Sequence, residues 1–227
     1  MIVISISERF QKIIFDKSIH NLCRLLSIIL LFILLNVSCQ PTDTYEVRYN
    51  KCFENVKTIE FDMEGATKKG FGYTGFDAKC LVGSLLPFFK VTDINGDEIE
   101  TKNLIGKVTV INFWFIKCAP CIAEIPDLNS IVNKYGKEKV NYVSFSNDSE
   151  HDVKEFLKTN TFIFTHVTNA KHIIEENFRL IWGYPSTIVV NREGRIVEIF
   201  QGSKLKNDPS ISVTTAIDSL LAELLRK

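Results

Sequence analysis

Two cysteines with two residues between them, Cys118 and Cys121, are the residues of this chain best placed to do chemistry. They lie in the stretch Val108 to Leu128, VTVINFWFIKCAPCIAEIPDL. An apolar β-type run, Val108 to Ile116, turns through Lys117-Cys118-Ala119-Pro120-Cys121 and continues as a helical pattern. A cysteine just ahead of a first helical turn faces unpaired backbone N–H groups and the positive end of the helix dipole. Both favour thiolate over thiol, so Cys118 is expected to titrate below the free-cysteine value of about 8.5. Cys121, one turn further on, is placed to attack a mixed disulfide formed at Cys118 and to close the pair. The same spacing can supply half of a zinc site, but that needs two more cysteine or histidine ligands. No cysteine follows Cys121, and His151, His166 and His172 form no ligand doublet at three-to-five spacing. No metal is therefore expected, and the histidines read as incidental.

The residues around the pair carry a wider pattern. Asn112-Phe113-Trp114, Cys118-Ala119-Pro120-Cys121, Glu124 and Pro126, followed much later by Gly183-Tyr184-Pro185-Ser186-Thr187, resemble the TlpA/ResA family of thioredoxin-like, membrane-anchored thiol–disulfide oxidoreductases. The resemblance spans roughly residues 85 to 226. It implies an α/β, thioredoxin-like fold, a central mixed sheet flanked by helices, with Cys118 and Cys121 as the catalytic pair and Glu124 modulating them. It also implies a cis peptide between Tyr184 and Pro185 in a loop facing the cysteines. Tyr184 would there leave its backbone open to an extended substrate segment. Trp114, Lys117, Pro120, Tyr184 and Pro185 are the expected substrate contacts; Lys117 stands where thioredoxins usually carry tryptophan. Protein disulfides or thiols are the implied substrates. Electrons would come from a partner thiol protein, with no cofactor, and reductase is the implied direction.

Physical reasoning supports a role for Glu124. Many thioredoxins place a buried aspartate where this chain has Asn112, which cannot ionise. A partly desolvated carboxylate one helical turn beyond Cys121 would have a raised pKa and could relay that thiol's proton. The plainer reading is an acid favoured by the helix dipole. Two other functions compete. A peroxiredoxin-like (AhpC/TSA-type) peroxidase would need a threonine and a proline ahead of its reactive cysteine, where Phe115-Ile116-Lys117 stand. The other is a non-enzymatic binding module using the Pro185 groove.

The elements that position this centre occupy residues 85–227. Leu85 to Thr92 reads as a strand, Asp93-Ile94-Asn95-Gly96-Asp97 as a turn, and Ile99 as the return. Val108 to Phe115 is apolar at nearly every position, as suits a strand buried on both faces. Ile122, Ile125, Leu128, Ile131 and Val132 mark the buried side of the following helix, which Tyr135-Gly136 ends. Val140 to Phe145 is a second buried strand, Ser146 to Ser149 caps a helix, and Thr161 to Val167 is β-rich. Ile173 to Phe178 is a short helix. Ile188 to Val190 and Arg195 to Phe200 form a hairpin, and Pro209 opens a C-terminal helix.

Ahead of this domain, residues 1–39 read as a leader. Arg9, Lys12, Lys17 and Arg24 precede the uncharged run Leu25 to Leu35, too short to span a bilayer comfortably but suited to a signal peptide. Cys39, directly after Ser38, resembles the lipidated cysteine of a bacterial lipobox, which would anchor the chain to a membrane on the periplasmic side of the envelope. Ordinary signal cleavage and an uncleaved anchor are the alternatives. Residues 40–84 read as a polar tether and an N-terminal β extension, with strands at Lys57 to Asp62 and Phe71 to Phe76. Export permits a disulfide between Cys52 and Cys80; two unpaired thiols are the other possibility.

The overall balance, 45% hydrophobic and 24% charged residues with zero formal net charge, suits a globular domain and offers no basic excess for nucleic acid. The lipid assignment is checked by metabolic labelling with a fatty acid: the wild type is expected to be marked and Cys39→Ala to lose the label, whereas equal labelling of both excludes it.

Overall fold

The computed structural model describes residues 44–54, 56–62, 69–204 and 212–226. The leader with Cys39, the start of the tether at 40–43, the turn at 63–68 and Pro209 lie outside the described residues. In chain order the N-terminal part holds helix α1 (Tyr45–Phe53), strands β1 (Lys57–Asp62) and β2 (Lys69–Thr74), and a 3-10 turn (Ala78–Leu81). Strands β3 (Lys90–Thr92) and β4 (Glu98–Glu100) and the short helix α2 (Thr101–Leu104) lead into the main sheet. The body then runs β5 (Val108–Trp114), α3 (Ala119–Tyr135), β6 (Val140–Ser146), α4 (Glu150–Thr159) and β7 (Thr165–Val167). A π-helical turn (Ile173–Asn177), β8 (Ser186–Val190), β9 (Ile196–Gln201) and α5 (Val213–Leu224) complete it.

The main sheet has the order β7-β6-β5-β8-β9, with β5 at its centre. β5 pairs parallel to β6 and antiparallel to β8, so the sheet is mixed. Every residue of β5 is buried, and the reason is the period-two alternation of a strand covered on both sides. Val108, Val110 and Trp114 belong to one apolar cluster with Ile125 and Leu128 of α3 and Ile217 and Leu221 of α5. Ile111 and Phe113 belong to the opposite cluster with Tyr45 and Tyr49 of α1, Leu81, Phe89 and Phe178. Asn112 shares the α3 side with Val110 and Trp114.

Local chemistry fixes the ends of the helices. Ser149 accepts from the Asp152 N–H at 3.1 Å to open α4, and Ser212 accepts from the Thr215 N–H at 3.2 Å to open α5. α3 continues through Pro126 and stops at Gly136, whose φ of 76° lies in the left-handed region that glycine tolerates and whose N–H reaches Val132 O at 2.8 Å.

Four sequence expectations need correction. The strand expected over Leu85 to Thr92 is confined to Lys90–Thr92, paired with β4, while Leu85 makes an isolated bridge to Arg195. The tether is helical from Tyr45 to Phe53, because Thr44 caps it and Tyr45, Tyr49 and Phe53 recur every fourth residue to form a stacked aromatic face. The second extension strand begins at Lys69 rather than Phe71, in register with Lys57–Asp62. Only Thr165–Val167 of the β-rich run is strand, since pairing with β6 is confined to those three residues.

The extension is cross-linked within itself and packed on the body. Cys52 of α1 and Cys80 of the 3-10 turn form a disulfide with Cα atoms 6.0 Å apart and 28 residues of separation. Tyr45 donates its hydroxyl to Phe178 O at 2.6 Å, and Phe76 stacks on Trp182 with centroids 5.3 Å apart. Closing a loop of this length stabilises by about 3–4 kcal/mol in the chain-entropy account. The double variant Cys52→Ala, Cys80→Ala is expected to lose about that much unfolding free energy in urea titrations while Cys118 and Cys121 still exchange; unchanged stability would show that the cross-link contributes nothing.

Candidate active site

The central strand delivers the cysteines. After Trp114 the chain makes a turn in which the Cys118 N–H bonds back to Phe115 O at 3.0 Å, and α3 starts at once. Cys118 is the N-cap of α3, with φ −86° and ψ 93°, and its sulfur accepts from the Cys121 N–H at 3.3 Å. The position that serine or aspartate commonly holds is thus filled by sulfur, and an anion there meets the positive helix end. Cys118 and Cys121 are joined as a disulfide with Cα atoms 5.2 Å apart. The two are 5% and 1% exposed, Cys118 being the less covered.

Beneath them lies a buried polar cluster. Asn112 and Thr187 are cross-strand partners on β5 and β8, and the Asn112 Nδ2 donates to Thr187 Oγ1 at 3.1 Å. The same nitrogen donates to Glu124 Oε1 at 2.9 Å. Glu124 is 5% exposed, and burial pushes its pKa up to about 7; the hydrogen bond from Asn112 opposes that rise and the nearby Asp127 adds to it. A carboxyl that is part protonated near neutrality can both take and return a proton one helical turn from Cys121.

The loop ahead of β8 reaches the same end of the sheet. The Tyr184–Pro185 peptide is cis, Pro185 is buried, and its carbonyl accepts from the Gly202 N–H at 2.8 Å. β5 pairs with β8 through Phe113 opposite Ser186, which sets Pro185 beside the strand end that leads to Cys118. Tyr184 meets Phe115 edge-on at 5.2 Å, and its hydroxyl accepts from Asn147 Nδ2 at 3.2 Å.

The expected site residues therefore divide. Cys118, Cys121, Glu124, Tyr184 and Pro185 converge, and Lys117 and Pro120 are exposed next to Cys118. Trp114 does not present itself to a substrate. It is 1% exposed and packed among Phe156, Phe162 and His166, because its position on β5 points it into the α3 side of the core. Cys52 and Cys80 belong to the extension. Among the described residues no group of His, Cys, Asp or Glu is arranged to hold a metal ion.

The contacts of several residues escaped the sequence reading. Asn112, part of the family-like pattern and noted for being unable to ionise, is the donor that holds Glu124. Thr187 supports it from the neighbouring strand. His166 is buried, with its two ring nitrogens 2.7 Å from Ser144 Oγ and 2.8 Å from Phe162 O, and burial lowers its pKa. Asp148 is the fourth, and its only sequence signal was a serine two residues earlier at the end of a buried strand.

The AhpC/TSA family model matches residues 82–199 of the chain. A thiol-disulfide oxidoreductase ResA from Bacillus cereus is 32% identical over 143 residues, covering 59% of this chain and 79% of the relative. The ResA of Bacillus subtilis (strain 168) is 29% identical over 139 residues, covering 58% and 77%. In fold the chain is similar to a thiol:disulfide interchange protein of the thioredoxin family from Chlorobium tepidum TLS, with a TM-score of 0.51, 23% identity and coverage of 63% and 97%.

The raised pKa of Glu124 has a consequence for stability. Between the unfolded value of 4.5 and the folded value of about 7, the native state keeps a proton that the unfolded chain has released. Unfolding free energy therefore falls as pH rises through that window, by about 3 kcal/mol in all. In the oxidised protein Glu124→Gln is expected to remove this decline and to be the more stable form at pH 8, as read by urea unfolding across pH. His166 contributes equally to both proteins and cancels. Parallel profiles for the two would show that Glu124 titrates normally.

Proposed function

This chain belongs to the AhpC/TSA family as a ResA-like member of the thioredoxin superfamily, and from that premise we propose that it is a thiol–disulfide oxidoreductase acting through Cys118 and Cys121. One observation carries the reading: the two cysteines form a disulfide whose first sulfur caps a helix at the end of the central strand, beside the cis Tyr184–Pro185 loop.

The chemistry follows from the arrangement. In the reduced protein the Cys118 thiolate attacks one sulfur of a substrate disulfide and expels the other as a thiolate. A mixed disulfide now joins Cys118 to the substrate. Cys121, losing its proton to Glu124, attacks the Cys118 sulfur, which releases the substrate's second thiolate and leaves Cys118–Cys121 oxidised. The substrate gains two electrons and the enzyme loses two. A partner dithiol protein restores them by the same exchange in reverse, and no cofactor takes part. Tyr184 and Pro185, with Lys117 and Pro120 at the rim, receive an extended stretch of the substrate backbone.

Reductase is the proposed direction, and the cell envelope the proposed place. The leader pattern and Cys39 support a lipid-anchored chain facing an oxidising compartment, as does a second disulfide at Cys52–Cys80. Among the described residues no helix is long and apolar enough to cross a membrane.

The reduction potential of the Cys118–Cys121 couple tests the proposal, measured on the full chain against glutathione or dithiothreitol with alkylation of the Cys118 and Cys121 peptides read by mass. A value near thioredoxin's, about −270 mV, is expected of a reductase; one near DsbA's, about −120 mV, would reverse the direction. Cys121→Ser is expected to accumulate the mixed disulfide with substrate and Cys118→Ser to form none. Consumption of peroxide without any protein disulfide substrate would instead favour a peroxidase.

A further inference from the structure

The loop between β6 and α4 touches both halves of the site. Asp148 Oδ2 accepts from the Ile116 N–H at 2.7 Å and from Ser146 Oγ at 2.8 Å, while the Asp148 N–H donates to Ser146 Oγ at 3.1 Å. The Asp148 carbonyl accepts from the Asn169 N–H at 2.9 Å, so the loop is held from behind as well. Next to it, Asn147 donates to the Tyr184 hydroxyl at 3.2 Å. Ile116 is the second residue of the turn that the Cys118 N–H closes onto Phe115 O. One short loop thus binds the turn that carries Cys118 through a charge-assisted hydrogen bond, and the Pro185 loop through a neutral one.

We propose that Asp148 is a positioning residue that tunes the Cys118–Cys121 couple toward the reducing side by holding the Ile116 amide and the turn to which Cys118 belongs. Two effects have the same sign. The carboxylate takes the Ile116 N–H, so that donor is not left for a thiolate forming at Cys118. Its negative charge, half-buried against that turn, also disfavours a second anion there. Both leave the reduced, thiolate-bearing state less stable relative to the disulfide, which lowers the reduction potential. Lys117 is exposed, and Glu124 on α3 is engaged by Asn112 of β5, so neither takes the Ile116 amide.

The inference rests on the proposed thiol–disulfide exchange, and the two can fail separately. The reaction to follow is enzyme disulfide plus two glutathione giving enzyme dithiol plus glutathione disulfide, on the full chain, with the Cys118 and Cys121 peptides read by alkylation. Asp148→Asn keeps an acceptor for the Ile116 N–H and removes the charge. It is expected to shift the equilibrium toward the dithiol by about fivefold, given a charge acting across a partly screened turn. That corresponds to about 20 mV.

Asp152→Asn, which removes an exposed carboxylate at the start of α4 that caps back only to Ser149, is expected to shift it by less than about twofold. Asp148→Glu, which restores the charge, should return most of the wild-type value. An unchanged equilibrium in Asp148→Asn, or equal shifts in Asp148→Asn and Asp152→Asn, overturns the proposal while leaving the exchange reading intact. A wild-type chain whose Cys118–Cys121 pair does not equilibrate with glutathione overturns both.

Discussion

A strand buried on both faces leaves the chain no freedom except at its ends, and this molecule places its chemistry at one such end. β5 lies between a parallel and an antiparallel neighbour, and each of its residues is covered from one side of the sheet or the other. The register is fixed because slipping by one residue would exchange Phe113 for Asn112 in the core beneath α1. With the strand fixed, the turn at Phe115–Cys118 and the first residue of α3 are fixed too. The reactive sulfur is therefore positioned by hydrophobic packing along seven residues, to which its bond from the Cys121 N–H adds.

The same constraint explains the buried polar cluster. Asn112 is the side-chain amide on the strand, and it must find acceptors in a place where water does not reach. It finds two, Thr187 from the next strand and Glu124 from the helix above. Holding a carboxylate there costs free energy when it is ionised, which is why Glu124 keeps its proton to higher pH. In the proposed exchange the second thiol loses a proton at each turnover, and Glu124 is the proposed acceptor, so the penalty in stability and the proposed proton transfer have one origin.

Much of this was legible in the sequence, and the limits have physical causes. The strand-turn-helix with Cys118 and Cys121 follows from periodicity, turn residues and a cap position, all of which are local. Glu124 could be placed one turn beyond Cys121 for the same reason. The ties across the sheet could not, because which residue of β8 faces Asn112 depends on a pairing between positions 75 residues apart. Asp148 was hidden likewise, since it meets Ile116 only after β6 has paired beside β5. Trp114 was misread for a simpler reason: a motif names its residues without saying which face of a strand they occupy, and position 114 has the parity of Val110. The helix at Tyr45–Phe53 was readable from its aromatic spacing, but the polar residues ahead of it suggested a tether instead.

The two disulfides show how the fold separates stability from reactivity. Cys52–Cys80 spans 28 residues and Cys118–Cys121 spans three. In the chain-entropy account the loop-length term alone makes the first about 2 kcal/mol more stabilising than the second. The longer bridge ties α1 to the 3-10 turn within the extension, and Phe76 stacked on Trp182 carries the extension up to the loop of Tyr184 and Pro185. The shorter bridge constrains little that α3 and β5 do not already hold. Opening it costs the fold little, and the helix end is prepared to receive the thiolate that opening creates. A bond that is to be made and broken repeatedly belongs where the surrounding structure depends on it least, and a three-residue separation at a helix cap meets that condition.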